Sequence, residues 1–180
     1  AATVHNVRQQ FDVAQHASAI IAAAVFASAS VQAHDSHAAP AAANQPSKTP
    51  VERSVQVYKK AEMQTWNRSK AAGGEGELLG KFAYTRHQTN DQDAIREIGW
   101  LTLPAGASIG LHKHENNEDV YLIVEGKGTF IDGNGKETPV AAGDVTIARP
   151  GQSHALKNTS KKPLVFINFI GQLPSQAAPK

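Results

Sequence analysis

The stretch GASIGLHKHENNEDVYLIVEG, residues 106–126, decides how this chain is read. His112 and His114 stand one residue apart, and in an extended strand the two-residue period turns both imidazoles to one face, as a chelating pair. The carboxylates Glu118 and Asp119 follow beyond a short turn, and after them comes a mostly apolar run, 120–124, of the kind that fills a buried strand. Downstream, GDVTIARPGQSHALKN at 143–158 adds a third histidine, where Pro150 and Gly151 make a turn that delivers His154. Three neutral imidazoles and one carboxylate form a donor set suited to one divalent transition metal: manganese, iron, nickel, copper or zinc.

The two segments resemble the two motifs of the cupin superfamily. The first motif runs Gly, five residues, His-x-His, three or four residues, Glu, six residues, Gly, and Gly106, His112, His114 and Gly126 fall in place. Counting back from Gly126 puts the acidic ligand at Asp119, with Glu118 one place early. A slip of one residue along a strand turns the side chain to the other face, so Asp119 is preferred. The second motif runs Gly, five residues, Pro-x-Gly, two residues, His, three residues, Asn. Gly143, Gly151, His154 and Asn158 match it, while Arg149 stands where proline is expected and Pro150 follows.

The resemblance implies an all-β fold, a double-stranded β-helix or jelly-roll barrel, with the metal inside it on His112, His114, Asp119 and His154. Such a cage fills about four positions of a six-coordinate ion and leaves about two for a bidentate oxygen ligand or dioxygen. Tyr121 and Glu118 are the acid–base candidates for catalysis near those positions. Strand parity puts Tyr121 on the face of Asp119 and Ile123, where it is either a cavity residue or a packed core aromatic. Arg149 is a candidate contact for an anionic substrate at the cavity mouth, against the plainer reading of a solvated arginine.

With 180 residues the chain has room for one domain with a proper core. A formal net charge of +2 without a basic block gives no argument for nucleic acid. The absence of cysteine excludes disulfides, thiolate nucleophiles and cysteine-based zinc sites.

Residues 17–29, ASAIIAAAVFASA, are apolar and small, about as long as a signal h-region and short of the ~20 residues of a membrane span. Val31, Gln32 and Ala33 make a small-x-small ending, so 1–33 is expected to be a signal peptide and the mature protein to be periplasmic or secreted, with no membrane span. An alanine-rich extension is the alternative. Residues 34–51 read as a disordered tether, 52–172 as the barrel domain and 173–180 as a polar tail.

Within the barrel, strands are expected at 52–59, as an edge strand, and at 78–84, 94–103, 108–114, 128–132, 145–148, 155–158 and 164–170. The run AAGGEG at 71–76 reads as a turn or mobile loop, and DGNG at 132–135 as a hairpin. In the first motif strand, parity sets Ser108 and Gly110 beside the histidines and turns Ile109 and Leu111 outward. Segment 52–59 is also where a homodimer would pair by strand exchange.

Two functions follow from the resemblance. One is a metal-dependent enzyme of oxygenase, isomerase or lyase type on a small carboxylate, sugar or phenolic molecule. The other is an exported, non-catalytic module that binds a small molecule or metal. Family decarboxylases usually pair two barrels and carry a loop glutamate, and this chain has neither feature.

Overall fold

The structure, a computed structural model, describes residues 45–172. The expected signal peptide at 1–33, most of the tether and the tail at 173–180 lie outside the described residues.

Two antiparallel sheets make up the domain. The chain runs through β1 (Gln64–Thr65), β2 (Arg68–Ser69), a 3-10 turn (Ala71–Gly73), β3 (Glu77–Tyr84), β4 (Ile95–Leu103) and β5 (Ser108–Lys113). It continues through β6 (Asn117–Glu125), β7 (Lys127–Asp132), β8 (Glu137–Ala141), β9 (Val145–Ala148), β10 (Ser153–Lys157) and β11 (Leu164–Gln172). The larger sheet has the order β1-β3-β4-β11-β6-β9, with β2 also on β3; the smaller is β5-β10-β7-β8. This is the all-β double sheet expected from the two motifs.

Alternation decides which side chains meet between the sheets. In β4, Glu97, Gly99, Leu101 and Leu103 are buried and the intervening residues are not, which settles the face that the sequence left open. The core joins Phe82, Leu101, Tyr121 and Phe166 of the larger sheet to Ile109 and Leu156 of the smaller. Each apolar side chain so buried contributes roughly 1.5–3 kcal/mol. β11 is apolar at almost every position, and it lies in the middle of the larger sheet, between β4 and β6. The DGNG hairpin joins β7 to β8, with Gly135 at φ 80°.

Two expectations need correction, and a third is narrowed. Segment 52–59 forms no strand. Glu52 accepts hydrogen bonds from the backbone N–H and the hydroxyl of Ser54, and Val55 N–H donates to the Glu52 carbonyl, so local bonds turn the chain before it can pair. The first ladder begins at Gln64 instead.

Of the turn or mobile loop expected at AAGGEG, the structure has the turn, Ala71–Gly73, and it is held to the barrel. Ser108 N–H donates to the Glu75 carbonyl at 2.8 Å, and Glu75 N–H donates to the Ser108 hydroxyl at 2.9 Å. These bonds dock the segment on β5.

Ile109 faces inward, not outward. Between β10 and β5, His154 pairs with His112 but Leu156 pairs with Ile109, so β5 carries one extra residue. That bulge resets the parity and lets Ile109 and His112 share the inner side, while Leu111 remains exposed.

Candidate metal centre

Each candidate ligand arrives on a strand whose neighbours leave it little choice of direction. His112 ends the bulged part of β5, and His114 follows that strand. The second-motif turn is tied to this pair: Gly151 N–H donates to the His114 carbonyl at 2.7 Å, and His114 N–H donates to the Gln152 carbonyl at 3.0 Å. Gly151 takes φ 88°, a conformation that glycine adopts without steric cost. Through that turn His154, fully buried on β10, comes opposite His112. Asp119 reaches the same place from β6, in the other sheet, and is 3% exposed.

The four side chains converge. One ligand atom from each of His112, His114, Asp119 and His154 lies within 4.8 Å of all the others. His114 Nε2 and His154 Nε2 are 3.1 Å apart, and each is 3.4 Å from Asp119 Oδ2, with His112 Nε2 at 4.0 Å from it. The Nδ1 atoms of two of the rings are committed elsewhere, His112 Nδ1 to the Gly110 carbonyl at 2.9 Å and His114 Nδ1 to Asn117 Oδ1 at 2.7 Å. Donation from Nδ1 leaves the Nε2 lone pair facing the cluster. Asn168 Nδ2 donates to Asp119 Oδ1 at 2.5 Å, which leaves Oδ2 as the inward oxygen.

A donor set of this kind is what a divalent ion requires: nitrogen lone pairs and one carboxylate oxygen, aimed at a common point from a dry wall. The four residues are consistent with a single metal site.

The electrostatics agree. Burial pushes the His114 imidazole below its ordinary value, although its hydrogen bond to Asn117 and the charge of Asp119 work the other way. Burial also works against an ionised Asp119. The neighbouring imidazoles of His112, His154 and His114 outweigh it and hold this carboxyl below its usual range. Both shifts favour the metal-binding protonation states, neutral imidazole and carboxylate.

A cavity of about 200 Å³ opens beside the cluster, and Arg68, Arg86, Glu97, Tyr121 and Asn168 line it together with His112, His114 and Asp119. A more open groove of about 450 Å³, beside Asp132 and Gln152, carries none of the four ligands. Tyr121 stacks on His154 with ring centroids 4.9 Å apart and 22° between planes. Burial, reinforced by the Asp119 charge, raises the Tyr121 phenol well above its ordinary value, so at neutral pH it is a hydroxyl and not a base. Glu118 lies elsewhere. It is exposed on the opposite face of β6, 3.9 Å from Arg149, and neither residue lines the cavity.

Sequence reasoning missed four residues of this environment. Asn168 had a signal, being the single amide in the apolar run LVFINFI, where a buried amide must find a partner. Asn117 had none beyond its neighbourhood. Glu97 lay on a strand whose inner face was undetermined, and Arg68 fell in a stretch with no readable period.

Comparison with known proteins agrees with this architecture. The family model for the cupin domain matches residues 99–170. The oxalate-binding protein of Thermotoga maritima is 36% identical over 114 residues, which are 63% of this chain and 92% of that protein. The crystal structure of a predicted oxalate decarboxylase from Thermotoga maritima superposes with a TM-score of 0.59 at 35% identity, covering 66% of this chain and all of that one. The cupin domain of Schizosaccharomyces pombe Cnp3 shares the fold alone, with a TM-score of 0.51 and 15% identity over 66% of this chain and 74% of that one. From its two motifs, its paired sheets and these likenesses, the chain belongs to the cupin family.

Proposed function

We propose that this cupin holds one divalent transition metal ion on His112, His114, Asp119 and His154 and binds a small carboxylate beside it. The observation that carries the reading is the convergence of four ligand atoms, three of them from residues that line a cavity of about 200 Å³ which also contains guanidinium groups. A metal ion bound there supplies Lewis acidity to an oxygen ligand. The chain supplies the rest: arginine side chains to attract an anion, a Tyr121 hydroxyl to donate a hydrogen bond, and apolar walls to exclude water. Likeness to an oxalate-binding protein and to a predicted oxalate decarboxylase favours a carboxylate over a sugar or a phenol.

Whether the bound carboxylate reacts depends on a proton carrier at the cavity. Glu118 is exposed beside Arg149 and outside the cavity, while Tyr121 lines it as a neutral hydroxyl, which supports Tyr121 over Glu118 as the hydrogen-bond or proton donor. Binding is therefore the primary reading. A lyase-type reaction is the second, with Tyr121 as the donor and the buried carboxylate of Glu97 at the same wall.

The full chain, purified without a histidine tag and loaded with manganese, tests this directly. Elemental analysis is expected to find about one equivalent of metal, lost in His112→Ala, with oxalate binding detected by calorimetry only in the loaded protein. Formate appearing in step with oxalate loss would establish the lyase reading; oxalate recovered unchanged would leave the binding protein. No retained metal in the wild type would refute the proposal.

A further inference from the structure

Among the described residues, Arg68 is the cavity cation with no carboxylate within salt-bridge distance. Salt bridges among the described residues engage Arg53, Arg86 and Arg149, and Arg68 is absent from them. Its Nε is buried with no hydrogen-bond partner. The two acidic residues of the cavity are already occupied, Glu97 by Arg86 at 3.4 Å and Asp119 by Asn168 and the histidines. A buried donor left unpaired costs about 1–3 kcal/mol, more when charged, so its presence calls for a compensating ligand.

The side chain is also held in place. Arg68 sits on the two-residue β2, opposite Leu78 of β3, and its guanidinium lies 4.5 Å from the centre of the Trp66 ring and 5.7 Å from that of Phe82. Stacking on aromatic faces fixes the plane of the guanidinium while leaving its edge N–H groups free to donate. A planar fork with free donors matches the geometry of a carboxylate.

Charge points the same way. In this cavity two guanidinium groups offset two carboxylates, so a divalent ion on the ligand cluster leaves the site with the charge of the ion. A dianion would neutralise it, and one of its two carboxylates would be left to meet the guanidinium edge when the other lies at the metal site.

We infer that Arg68 recognises the second carboxylate of a small dicarboxylate and so sets the specificity of the site. The inference rests on the metal-and-carboxylate reading given above. It separates dicarboxylates from acetate-like monocarboxylates, and from sugars and phenols, which offer the guanidinium no anion.

The test uses the manganese-loaded full chain, with oxalate, malonate and acetate as calorimetric probes and metal content measured in parallel. In Arg68→Met the apolar stem stays and the charge goes. Oxalate or malonate affinity is expected to fall about 10- to 100-fold, with acetate changed by less than about 3-fold and metal content unchanged. Arg68→Lys keeps the charge but not the fork and is expected to fall between wild type and Arg68→Met. If Arg68→Met fails to unfold cooperatively, the lysine variant decides: a loss of about 10-fold supports the role and an unchanged affinity overturns it. Dicarboxylate affinity unchanged in Arg68→Met, or acetate falling in parallel, would also overturn it while leaving the carboxylate reading intact. A loaded wild type that binds none of the three anions refutes the carboxylate reading itself, and the role of Arg68 with it.

Discussion

Asn117 and Asn168 orient the ligand cluster without belonging to it. Asn117 holds the His114 ring through Nδ1, and Asn168 fixes which oxygen of Asp119 points inward. Removing such a partner typically costs 10- to 100-fold in metal affinity. Asn117→Ala is accordingly expected to bind manganese about 10- to 100-fold more weakly in a chelator competition, with little change in melting temperature, because Asn117 is only half-buried. Glu118→Gln, altered on the outer face, is the control and should leave affinity unchanged. A pH dependence follows from His114. Its folded value is depressed by burial, so above its ordinary value near 6.5 neither folded nor unfolded state holds the proton and stability is at its full level. As the pH falls below that value the unfolded chain takes up the proton first, and stability declines until the folded value is passed. Thermal melts of metal-free protein should therefore show the melting temperature dropping between about pH 7 and pH 5, with a shallower slope in His114→Gln. At this scale the four cluster residues were legible through the resemblance of two short motifs, each a local property of its own segment. Arg68, Glu97 and Asn168 were not, because what makes them part of the site is a sheet pairing made far along the chain.

Among the elements, the docked segment Lys70–Gly76 and the bulge in β5 depend on each other. A Cβ placed at Gly110 would lie 2.2 Å from the Ala72 carbonyl oxygen, a backbone atom that cannot swing aside. Gly110→Ala must push the segment off β5 and disturb the bulge that aims His112. The expected cost is about 1–3 kcal/mol, read as a lower denaturation midpoint at constant slope, together with weakened metal binding. Ala72 itself is left-handed, at φ 51° and ψ 33°. Relief of that backbone conformation in Ala72→Gly outweighs the entropy that glycine adds to the unfolded chain, so this variant is expected to gain up to about 1 kcal/mol. A lower midpoint for it would show that the Ala72 methyl, which lines the cavity, matters more than its backbone. These features explain which elements could be read in the sequence. β3, β4, β7, β9 and β11 carry their period on their surface and were legible to within a residue or two. The inward turn of Ile109 was not, since a bulge leaves the residue types unchanged and alters only their count against the partner strand. The false strand at 52–59 had the right alternation and failed because Ser54 and Glu52 bond to each other.

For the whole molecule the outstanding feature is the outer face of the larger sheet. Strand registers align Trp100, Ile167, Leu122 and Val145 in one row across β4, β11, β6 and β9, and none of these side chains is fully buried. A second row, through Phe169, Val120 and Ile147, runs beside it, and Val145 and Ile147 are 55% and 38% exposed. Strands apolar on both faces belong to sheets covered on both sides, and a contiguous apolar face of this kind marks an interaction surface. Among the described residues, Lys60 over Trp100 and Tyr58 against Tyr84 shield the β4 end. We expect a second copy of the chain to cover it, since a two-fold pairing sets this face against itself and requires no charge complementarity from either side. The dimer is thus expected through the sheet face and not through segment 52–59, which offers no strand to exchange. Light scattering of the full chain should give about twice the 19.1 kDa of one chain. Leu122 is the probe of choice, since it lies in the middle of the row and points away from its neighbour Tyr121 in the core. Leu122→Asp places a charge at the centre of the apolar face, where desolvating it opposes association. The variant should run as a single chain while keeping its metal, since the ligand cluster lies on the other side of β6. A wild type that shows the mass of one chain at every concentration would refute the pairing, and a Leu122→Asp protein that remains a dimer would move it to another surface.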